Sequence, residues 1–386
     1  MTAKRQVAFV SRWRDIDPAE WAELSQPAST YPFLRYEFLA ALEESGSVGR
    51  ETGWLPHHFT LRDAQTGRLL AAAPTYLKAH SYGEFVFDFA WAEAYQRYGV
   101  SYYPKLVTAV PFTPIVGPRL RVHPDLELPT AVGEWLTAVQ TPRASSWHLF
   151  FADQTLHDQL TPYLAPKHGL LRRTDVNFLW HKRDYRTFDD FLATLKARKR
   201  NQIRKERAHV AAQGITFAHV SGTEISAQQQ ETFYLYYQAT YWKYGQEGYL
   251  TDAFFEHLVR DMPESLLFVF AQHEGQDVAV ALFLLGDDTL HGRYWGCLDE
   301  YNFLHFETTL YQGIDYCLAH NLAYFDAGAQ GEHKLRRGFE PFFTHSYHWI
   351  AHPAFREAIA NFLVAETPHV QAYHAAALKA LPFKVG

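Results

Sequence analysis

Residues 291–339 contain an unusual concentration of side chains that can carry charge or exchange protons. Carboxylates and histidines can remove a proton from an attacking group, whereas arginines bind anions through paired hydrogen bonds. The polar and aromatic candidates in this stretch are Arg293, Tyr294, Trp295, Asp299, Glu300, His305, Glu307, Asp326, Glu332, His333, Lys334, Arg336 and Arg337. Because the stretch also contains two predicted strands and a helix, we expect these groups to meet at strand ends and to form a site.

The sequence gives little support for metal or nucleophilic catalysis. The 21 histidines are scattered, and the chain has neither a His-Glu-x-x-His motif nor a Cys-x-x-Cys pair, which are spacings that typically hold zinc. No Gly-x-Ser-x-Gly nucleophile motif occurs, and Cys297 and Cys317 are more typical of buried apolar fillers than of nucleophiles. We therefore predict no metal site and no tightly bound cofactor.

A run of basic residues interrupts an acidic chain. The formal net charge is −6, from 36 basic and 42 acidic side chains, yet residues 196–207 contain seven lysines and arginines and a single acid, Glu206. On a helix, four of these basic residues share one stripe, which can follow a polyphosphate or RNA backbone without reading its sequence. The stripe consists of Lys196, Arg200, Arg204 and Arg207. An ordinary solvated helix face explains the same pattern, so both interpretations stay open.

The two halves of the chain repeat the same predicted order of elements. Each half has three strands joined by turns, followed by a helix and two further strands. The strands of the two predicted meanders are residues 58–62, 68–77 and 84–91, and residues 266–272, 277–285 and 289–297. This order indicates duplication of one α/β unit, although any mixed α/β chain alternates its elements in a similar way.

The boundary between the two units is predicted at the start of the basic helix. Thr187 followed by Asp190 has the spacing of a capping box, which marks a helix N-terminus, and Gly214 marks the expected end of the helix. We therefore expect domains at residues 1–182 and 183–386, with the active site in the second. The length of 386 residues and the 47% hydrophobic content fit two domains with a large core.

No stretch of the sequence approaches the roughly 20 apolar residues that a membrane-spanning helix requires. The longest uncharged apolar candidate, residues 106–118, is short and contains three prolines. The low cysteine content fits a reducing compartment. We therefore expect a cytoplasmic protein without a membrane span.

Four short motifs resemble those of a known family. They are Tyr-Gly-Val-Ser-Tyr-Tyr-Pro-Lys-Leu at 98–106, Pro-Phe-Thr-Pro at 111–114, Gly-Arg-Tyr-Trp-Gly-Cys at 292–297 and Phe-Asp-Ala-Gly-Ala-Gln-Gly-Glu-His-Lys-Leu at 325–335. With the order of elements, they make nearly the whole chain resemble the predicted Fem-like N-acyltransferases. That group is similar to the Fem-type aminoacyltransferases of peptidoglycan cross-bridge synthesis, which repeat the fold of GCN5-related N-acetyltransferases (GNAT).

The resemblance implies a fold class and a reaction. The fold is α/β, with two tandem GNAT-type units that each contain a mixed, mostly antiparallel sheet flanked by helices. The reaction is transfer of an acyl or aminoacyl group from acyl-CoA or aminoacyl-tRNA, acting as co-substrate, to the amine of a small molecule or peptide. Transfer RNA is therefore among the expected partners.

The sequence also departs from both groups of relatives. Residues 302–306 stand where acetyltransferases carry a Gln/Arg-x-x-Gly-x-Gly/Ala pyrophosphate loop, and the charged coiled-coil insertion of Fem enzymes is absent. The identity of the donor therefore stays open. A catalytically inactive GNAT-like module that binds peptide or RNA is the alternative, because a fold alone does not establish activity.

The loop at residues 91–104 is crowded with tyrosines and is expected to form one wall of a pocket. Three groups of site residues follow from the polar cluster, this aromatic loop and the resemblance. The candidates for the base or for amine recognition are Glu307, Asp326, Glu332 and His305. The candidates for holding donor phosphates or an acceptor carboxylate are Arg293, Lys334, Arg336 and Arg337. The candidates for substrate contact are Tyr98, Tyr102, Tyr103 and Trp295.

Overall fold

The structure is a computed structural model, and it describes residues 4–25, 31–140, 144–164, 168–329 and 331–384. The chain forms two compact units. Unit 1 comprises Met1–Asp175 and Phe343–Gln371, and unit 2 comprises Val176–Phe342 and Ala372–Gly386. Within the described residues, no helix combines the length and the apolar character needed to cross a membrane.

The elements alternate along the whole chain. In unit 1 they are β1 (Arg5–Val10), α1 (Pro18–Glu23), α2 (Tyr36–Glu44), β2 (Trp54–Pro56), β3 (His58–Asp63), β4 (Leu69–Ala73), β5 (Thr75–Lys78), α3 (Phe89–Arg97), β6 (Lys105–Thr108), β7 (Arg121–Val122), α4 (Leu128–Val139), β8 (Ser146–Leu149) and α5 (Gln154–Leu160). Then follow β9 (Leu170–His181), α6 (Phe188–Thr194), α7 (Ala197–Ala212), β10 (Ile215–Ser221), α8 (Ala227–Trp242), α9 (Asp252–Asp261), β11 (Leu266–His273), β12 (Gln276–Leu285), β13 (Thr289–Cys297), α10 (Leu304–Phe306), a π-helical turn (Glu307–Tyr311), α11 (Gln312–Ala319), β14 (Tyr324–Asp326), β15 (Glu340–Ile350) and α12 (Pro353–Ala380).

The described residues of unit 1 contribute strands to two sheets. One has the strand order β1-β3-β4-β7, and the other has the order β15-β8-β6-β5-β2. Their pairings are antiparallel except for β6 and β8, which run parallel. The core between sheet and helices is aromatic: Trp135 of α4 meets Trp147 of β8 edge to face, with ring centroids 5.2 Å apart. Such an arrangement buries large apolar area with favourable ring geometry.

Unit 2 is built on one sheet of the order β10-β11-β12-β13-β14-β9. Its pairings are antiparallel except for β13 and β14, which run parallel. In each unit the parallel pair is joined by a helical connection, as the geometry of parallel strands requires. The core includes Trp180 on β9, Phe191 on α6 and Phe325 on β14, all fully buried.

The division into units differs from the predicted boundary in two respects. The chain passes from unit 1 to unit 2 within β9, and residues 343–371 return to unit 1. Residues 343–371 return to unit 1 because they contact it directly. Strand β15 pairs with β8, and the Phe355 ring stacks on Tyr95 at a centroid distance of 3.7 Å. Pairing between segments that are distant in sequence leaves no local sequence signal.

Two local predictions were wrong. The predicted strand at 84–91 is a loop that leads into α3, because Glu84 and Asp88 turn inwards to bind Lys105. The predicted single helix from Thr187 to Gly214 is two helices, α6 and α7. It breaks because the Lys196 N–H donates to the carbonyl of Pro382 at 2.8 Å. The capping box at Thr187 is present, and it starts α6.

A buried lysine fixes the loop that precedes α3. The Lys105 ammonium donates to Ser81 Oγ at 2.9 Å, to Glu84 Oε2 at 2.7 Å and to Asp88. Burial alone would lower the pKa of Lys105, but the charges of Glu84 and Asp88 outweigh this effect and raise the pKa above its ordinary value. Lys105 is therefore a charged structural centre of unit 1.

Replacing Lys105 should destabilise the protein strongly. Lys105→Met leaves two buried carboxylates without their cation, and loss of one partner of a buried ion pair costs about 3–5 kcal/mol. Urea unfolding should show this loss, whereas Lys379→Met, at an exposed position, should change the free energy of unfolding by less than about 0.5 kcal/mol. Equal stabilities for the two variants would contradict a structural role for Lys105.

Candidate functional site

A cavity of about 370 Å³ opens where β13 and β14 diverge. The two strands pair only over residues 289–291 and 324–326. Beyond this point β13 continues as a strand, whereas the segment after β14 leaves the sheet as a loop. The lining residues are Ala281, Leu282, Phe283, Gly292, Arg293, Tyr294, Trp295, His305, Thr309, Leu310, Ala327, Ala329, Gly331, His333 and Lys334. All of them belong to unit 2.

A β-bulge directs side chains of β13 into the cavity. Leu282 pairs with Tyr294, but the next residue, Phe283, pairs with Gly292, so Arg293 is an extra residue on β13. Bulges bend a strand and change the direction of its side chains. Arg293, Tyr294 and Trp295 are thereby consecutive residues that all line the cavity.

The loop after β14 is held by side chains of the site. Asp326 Oδ1 accepts a hydrogen bond from the Gly328 N–H at 2.8 Å, and Lys334 Nζ donates to the Gly328 carbonyl at 2.7 Å. Gly328 and Gly331 adopt φ values of +80° and +101°, a region that glycine enters without steric cost. Residue Gln330 of this predicted motif lies outside the described residues.

Lys334 is the most strongly perturbed cation of the cavity. It is 5% exposed, and burial lowers its pKa to about 8, while the charge of Asp326 acts in the opposite direction. Burial in turn raises the pKa of Asp326, opposed by its Gly328 hydrogen bond and by Lys334. A group whose pKa is close to the working pH is well suited to donate or accept a proton.

The two histidines of the cavity are neutral at pH 7. Burial, and then the neighbouring His333 and Arg337, lower the pKa of His305 to about 4. The pKa of His333 is about 4 for the same reasons, first burial and then Lys334 and Arg337. The Trp295 ring meets His305 edge to face at 5.3 Å. Both imidazoles are therefore available as neutral hydrogen-bonding groups.

The structure brings together only some of the predicted catalytic and anion-binding residues. Arg293, His305 and Lys334 line the cavity, as does the predicted contact residue Trp295. Asp326 lies at the start of the adjoining loop, buried and 4% exposed. These positions agree with the predicted cluster, whereas the individual roles stay predictions.

Four other predicted residues point elsewhere. Glu307 is buried in the π-helical turn and binds Arg207 at 3.0 Å. Arg337 binds Glu206 at 2.8 Å and donates to the Tyr311 hydroxyl at 2.7 Å. Glu332 and Arg336 are exposed, and Glu332 accepts a hydrogen bond from Tyr373 at 3.3 Å. None of the four lines the cavity.

Three of the four predicted substrate-contact residues lie in unit 1. Tyr102 and Tyr103 line a separate cavity of about 500 Å³, and Tyr98 is 79% exposed. Trp295, by contrast, belongs to the cavity of unit 2. The four residues therefore do not share one cavity.

Glu206 was missed as a structural residue of this region. It is the single acid of the basic run 196–207, and it is buried with 4% exposure between Arg337 and Tyr311. A lone acid among seven basic residues was the signal that could have revealed it. Among the described residues, no group of three or more His, Cys, Asp or Glu side chains is placed to hold a metal ion.

The basic helix α7 presents two different faces. On the predicted stripe, Arg204 binds Asp189 at 2.7 Å and Arg207 binds Asp315 at 2.6 Å, so these charges are already neutralised. The other face of α7, together with Phe303, lines a cavity of about 630 Å³. The lining residues are Arg198, Asn201, Gln202, Lys205, Glu206, His209 and Phe303. Among the described residues, neither Arg198 nor Lys205 forms an ion pair with an acidic side chain.

Cations lie close together around this face, as the neighbouring Lys199 shows, although Lys199 does not itself line the cavity. The pKa of the exposed Lys199 ammonium is lowered, first by its limited burial and then by Arg336 and Arg198. A group of cations without counter-charges favours an anionic ligand. The face formed by Arg198, Lys205 and His209 is called the α7 basic face below.

The chain is similar to known proteins in family and in fold. The FemAB-like family profile, described as peptidoglycan biosynthesis/recognition, matches residues 12–385. The search of curated proteins gave no match. Three similar solved structures are FemX, the C-terminal domain of a putative lysylphosphatidylglycerol synthetase from Agrobacterium fabrum, and a tandem GNAT protein from the clavulanic acid biosynthesis pathway.

Each of the three structures is 10% identical to this chain. FemX aligns over 88% of this chain and 98% of its own with a TM-score of 0.53, and the Agrobacterium domain over 90% and 95% with a TM-score of 0.51. The tandem GNAT protein aligns over 91% and 99% with a TM-score of 0.47. The first two likenesses concern the fold, and the predicted class of tandem GNAT-type units is confirmed.

The electrostatic coupling of Asp326 and Lys334 can be measured directly. Asp326→Asn keeps the oxygen that accepts from Gly328 but removes the negative charge that stabilises the Lys334 ammonium. The pKa of Lys334 should therefore fall below its value of about 8, as followed by NMR of labelled lysine side chains. Glu332→Gln, at an exposed position outside the cavity, should leave this pKa unchanged. The same pKa in both variants would contradict the coupling.

Proposed function

The chain belongs to the FemAB-like family, and we propose that it is an N-acyltransferase whose active site is the cavity of unit 2. It transfers an acyl or aminoacyl group from an activated donor, a CoA thioester or an aminoacyl-tRNA, to the amine of a small molecule or peptide. The observation that carries the proposal is the buried Lys334, with a pKa of about 8, at the divergence of β13 and β14.

The reaction forms a bond between the amine nitrogen and the carbonyl carbon, and it breaks the bond between that carbon and the donor oxygen or sulfur. The nitrogen of the neutral amine attacks the carbonyl carbon of the donor, and the resulting tetrahedral intermediate expels the donor oxygen or sulfur. The amine loses a proton, and the leaving group gains one. A site for this reaction must therefore stabilise a transient oxyanion and must supply a proton to the leaving group.

Lys334 and Arg293 can meet these requirements. At pH 7 the Lys334 ammonium is still largely protonated, because its pKa is about 8. A buried cation in a site with little water stabilises developing negative charge more strongly than an exposed one. Arg293 lines the same cavity and supplies a second cationic group, whose planar guanidinium can donate paired hydrogen bonds to an oxyanion.

The neutral histidines suit the incoming amine. A cationic imidazole would repel an ammonium, whereas the low pKa values of His305 and His333 keep both rings uncharged at pH 7. A neutral imidazole can accept a hydrogen bond from the amine and orient its lone pair. Asp326 acts on Lys334 through its negative charge, and its Oδ1 accepts the hydrogen bond from the Gly328 N–H.

The α7 basic face supports a phosphate-bearing donor. CoA and transfer RNA both carry phosphates, and Arg198 and Lys205 line the cavity beside α7 without ion-pair partners among the described residues. The exposed ring of Phe303, 41% exposed, lies in the same lining and offers a surface on which a base can stack. The residues of this face suit either donor. The two donors are distinguished by a binding experiment, because a transfer RNA can make more phosphate contacts than a CoA thioester.

Lys334→Met should lower kcat by about 10²- to 10³-fold, because it removes a charge that acts on the transition state. The wild-type rate should fall as the pH rises through about 8, since the required ammonium loses its proton there, and this limb should be absent from the residual activity of the variant. Activity is measured by mass spectrometry of acylated amines. Lys379→Met should retain both rate and pH profile, and an unchanged rate in Lys334→Met would refute the mechanism.

The donor class can be tested by salt titration. Binding of bulk aminoacyl-tRNA and of acetyl-CoA is measured for the wild type, for Arg198→Gln/Lys205→Gln and for the control Arg204→Gln on the opposite face. If transfer RNA is the donor, the double variant should lower the slope of log affinity against log salt by about two, one for each phosphate contact. Arg204→Gln should keep the wild-type slope.

Three results separate the alternatives. Binding of acetyl-CoA with no affinity for transfer RNA assigns a small thioester donor. Donor binding without acylation of any amine supports the inactive binding module. Equal slopes in all three proteins would show that the α7 basic face does not contact the donor.

A further inference from the structure

Unit 1 exposes a group of aromatic rings that the proposed reaction does not use. Tyr82, Phe87 and Phe89 are 58%, 52% and 38% exposed. The Phe89 ring centroid lies 5.6 Å from that of Tyr82 and 6.4 Å from that of Phe87. We call these three residues the aromatic rim. Because clustered apolar surface is unfavourable in water, such a rim commonly marks a binding site.

The aromatic rim adjoins the cavity of about 500 Å³ through Phe89. The lining residues are Phe89, Ala92, Glu93, Gln96, Gly99, Val100, Ser101, Tyr102 and Tyr103. No lysine or arginine is among these described lining residues, and Glu93 is engaged with Arg97 at 3.3 Å. The Tyr102 and Tyr103 hydroxyls are bonded within the protein. The cavity therefore offers a ligand aromatic rings, the Gln96 amide and the Ser101 hydroxyl, which suit an uncharged ligand.

The rim and the cavity wall are fixed by buried hydrogen bonds. The Tyr103 hydroxyl is bonded to Ser81 Oγ at 2.8 Å, and the Tyr102 hydroxyl donates to Asp88 Oδ2 at 2.6 Å. Ser81 and Asp88 are both bonded to Lys105, and they enclose the loop that carries Tyr82 and Phe87. A surface ordered in this way loses little conformational entropy when a ligand binds.

We propose that the aromatic rim and this cavity form a binding site for a neutral saccharide. A pyranose ring has an apolar face of C–H groups, which packs on an aromatic ring, and an edge of hydroxyl groups, which needs amide and hydroxyl partners. Phe89 provides the ring, and Gln96 and Ser101 provide the polar partners. This combination of apolar surface and a few placed polar groups is typical of small-ligand sites.

Two other occupants fit the chemistry less well. A phosphate-bearing ligand needs cations, and none lines the cavity among the described residues. An anionic membrane surface binds through exposed basic side chains beside the inserted rings. Lys78, which donates to the Tyr82 carbonyl, is fully buried, and Arg173, which donates to the Phe87 carbonyl, is paired with Glu366 at 2.6 Å. The proposed site is distinct from the cavity of unit 2, so saccharide binding is tested without any acyl transfer.

The test is isothermal titration with two uncharged probes, a β-1,4-linked N-acetylglucosamine tetrasaccharide and a β-1,4-linked glucose tetrasaccharide. Phe89→Ala and Gln96→Ala should each weaken binding of the preferred probe by about tenfold, which corresponds to about 1.4 kcal/mol. Tyr244→Ala is the matched control, because Tyr244 is 78% exposed and lies in unit 2. Its affinity should equal that of the wild type.

A folding defect is distinguished from a lost contact by Phe89→Tyr. This variant keeps a ring at the position and should bind within about twofold of the wild type, while the melting temperatures of all variants should agree. The proposal is overturned if the wild type binds neither probe, or if Phe89→Ala and Gln96→Ala bind as well as Tyr244→Ala. Binding of the wild type, but not of Phe89→Ala, to phosphatidylcholine vesicles without saccharide binding would also overturn it and would assign the rim to a lipid surface.

Discussion

The short parallel pairing of β13 with β14 is the constraint on which the candidate active site depends. The strands share a ladder over only three residues each, and buried backbone groups beyond that point must find other partners. The loop after β14 meets this requirement through side chains, with Asp326 accepting from one N–H and Lys334 donating to one carbonyl. The residues that satisfy the backbone are thus the same residues that give the cavity its charge.

Two of the buried lysines, Lys105 and Lys334, show how partners determine chemistry. Lys105 in unit 1 is fully buried but is bonded to two carboxylates, which raise its pKa above the ordinary value. Lys334 in unit 2 is bonded to backbone carbonyls and is influenced by a single carboxylate, so burial prevails and its pKa falls to about 8. The first arrangement favours a permanent structural charge, and the second favours a group that can exchange a proton near neutral pH.

The basic residues of helix α7 also differ in their partners, because some are paired with acids and others are not. Arg204 and Arg207 are held by acids, and Arg337 brings the buried Glu206 into the core beside Tyr311. The positive charges on the other face keep no such partners among the described residues. Composition therefore does not identify the functional cations, because the neutralising acids come from other helices and from distant parts of the chain.

The sequence by itself determined the fold class, the location of the polar cluster at 291–339 and the family, because alternation of elements and contiguous motifs are local properties. It also predicted four residues of the cavity, Arg293, Trp295, His305 and Lys334. Only the tertiary structure decided that Glu332 and Arg336 face solvent, that Glu307 and Arg337 are used in ion pairs, and that residues 343–371 return to unit 1. These outcomes depend on a bulge, on burial and on pairing between distant segments, and none of the three is encoded in the spacing of neighbouring residues.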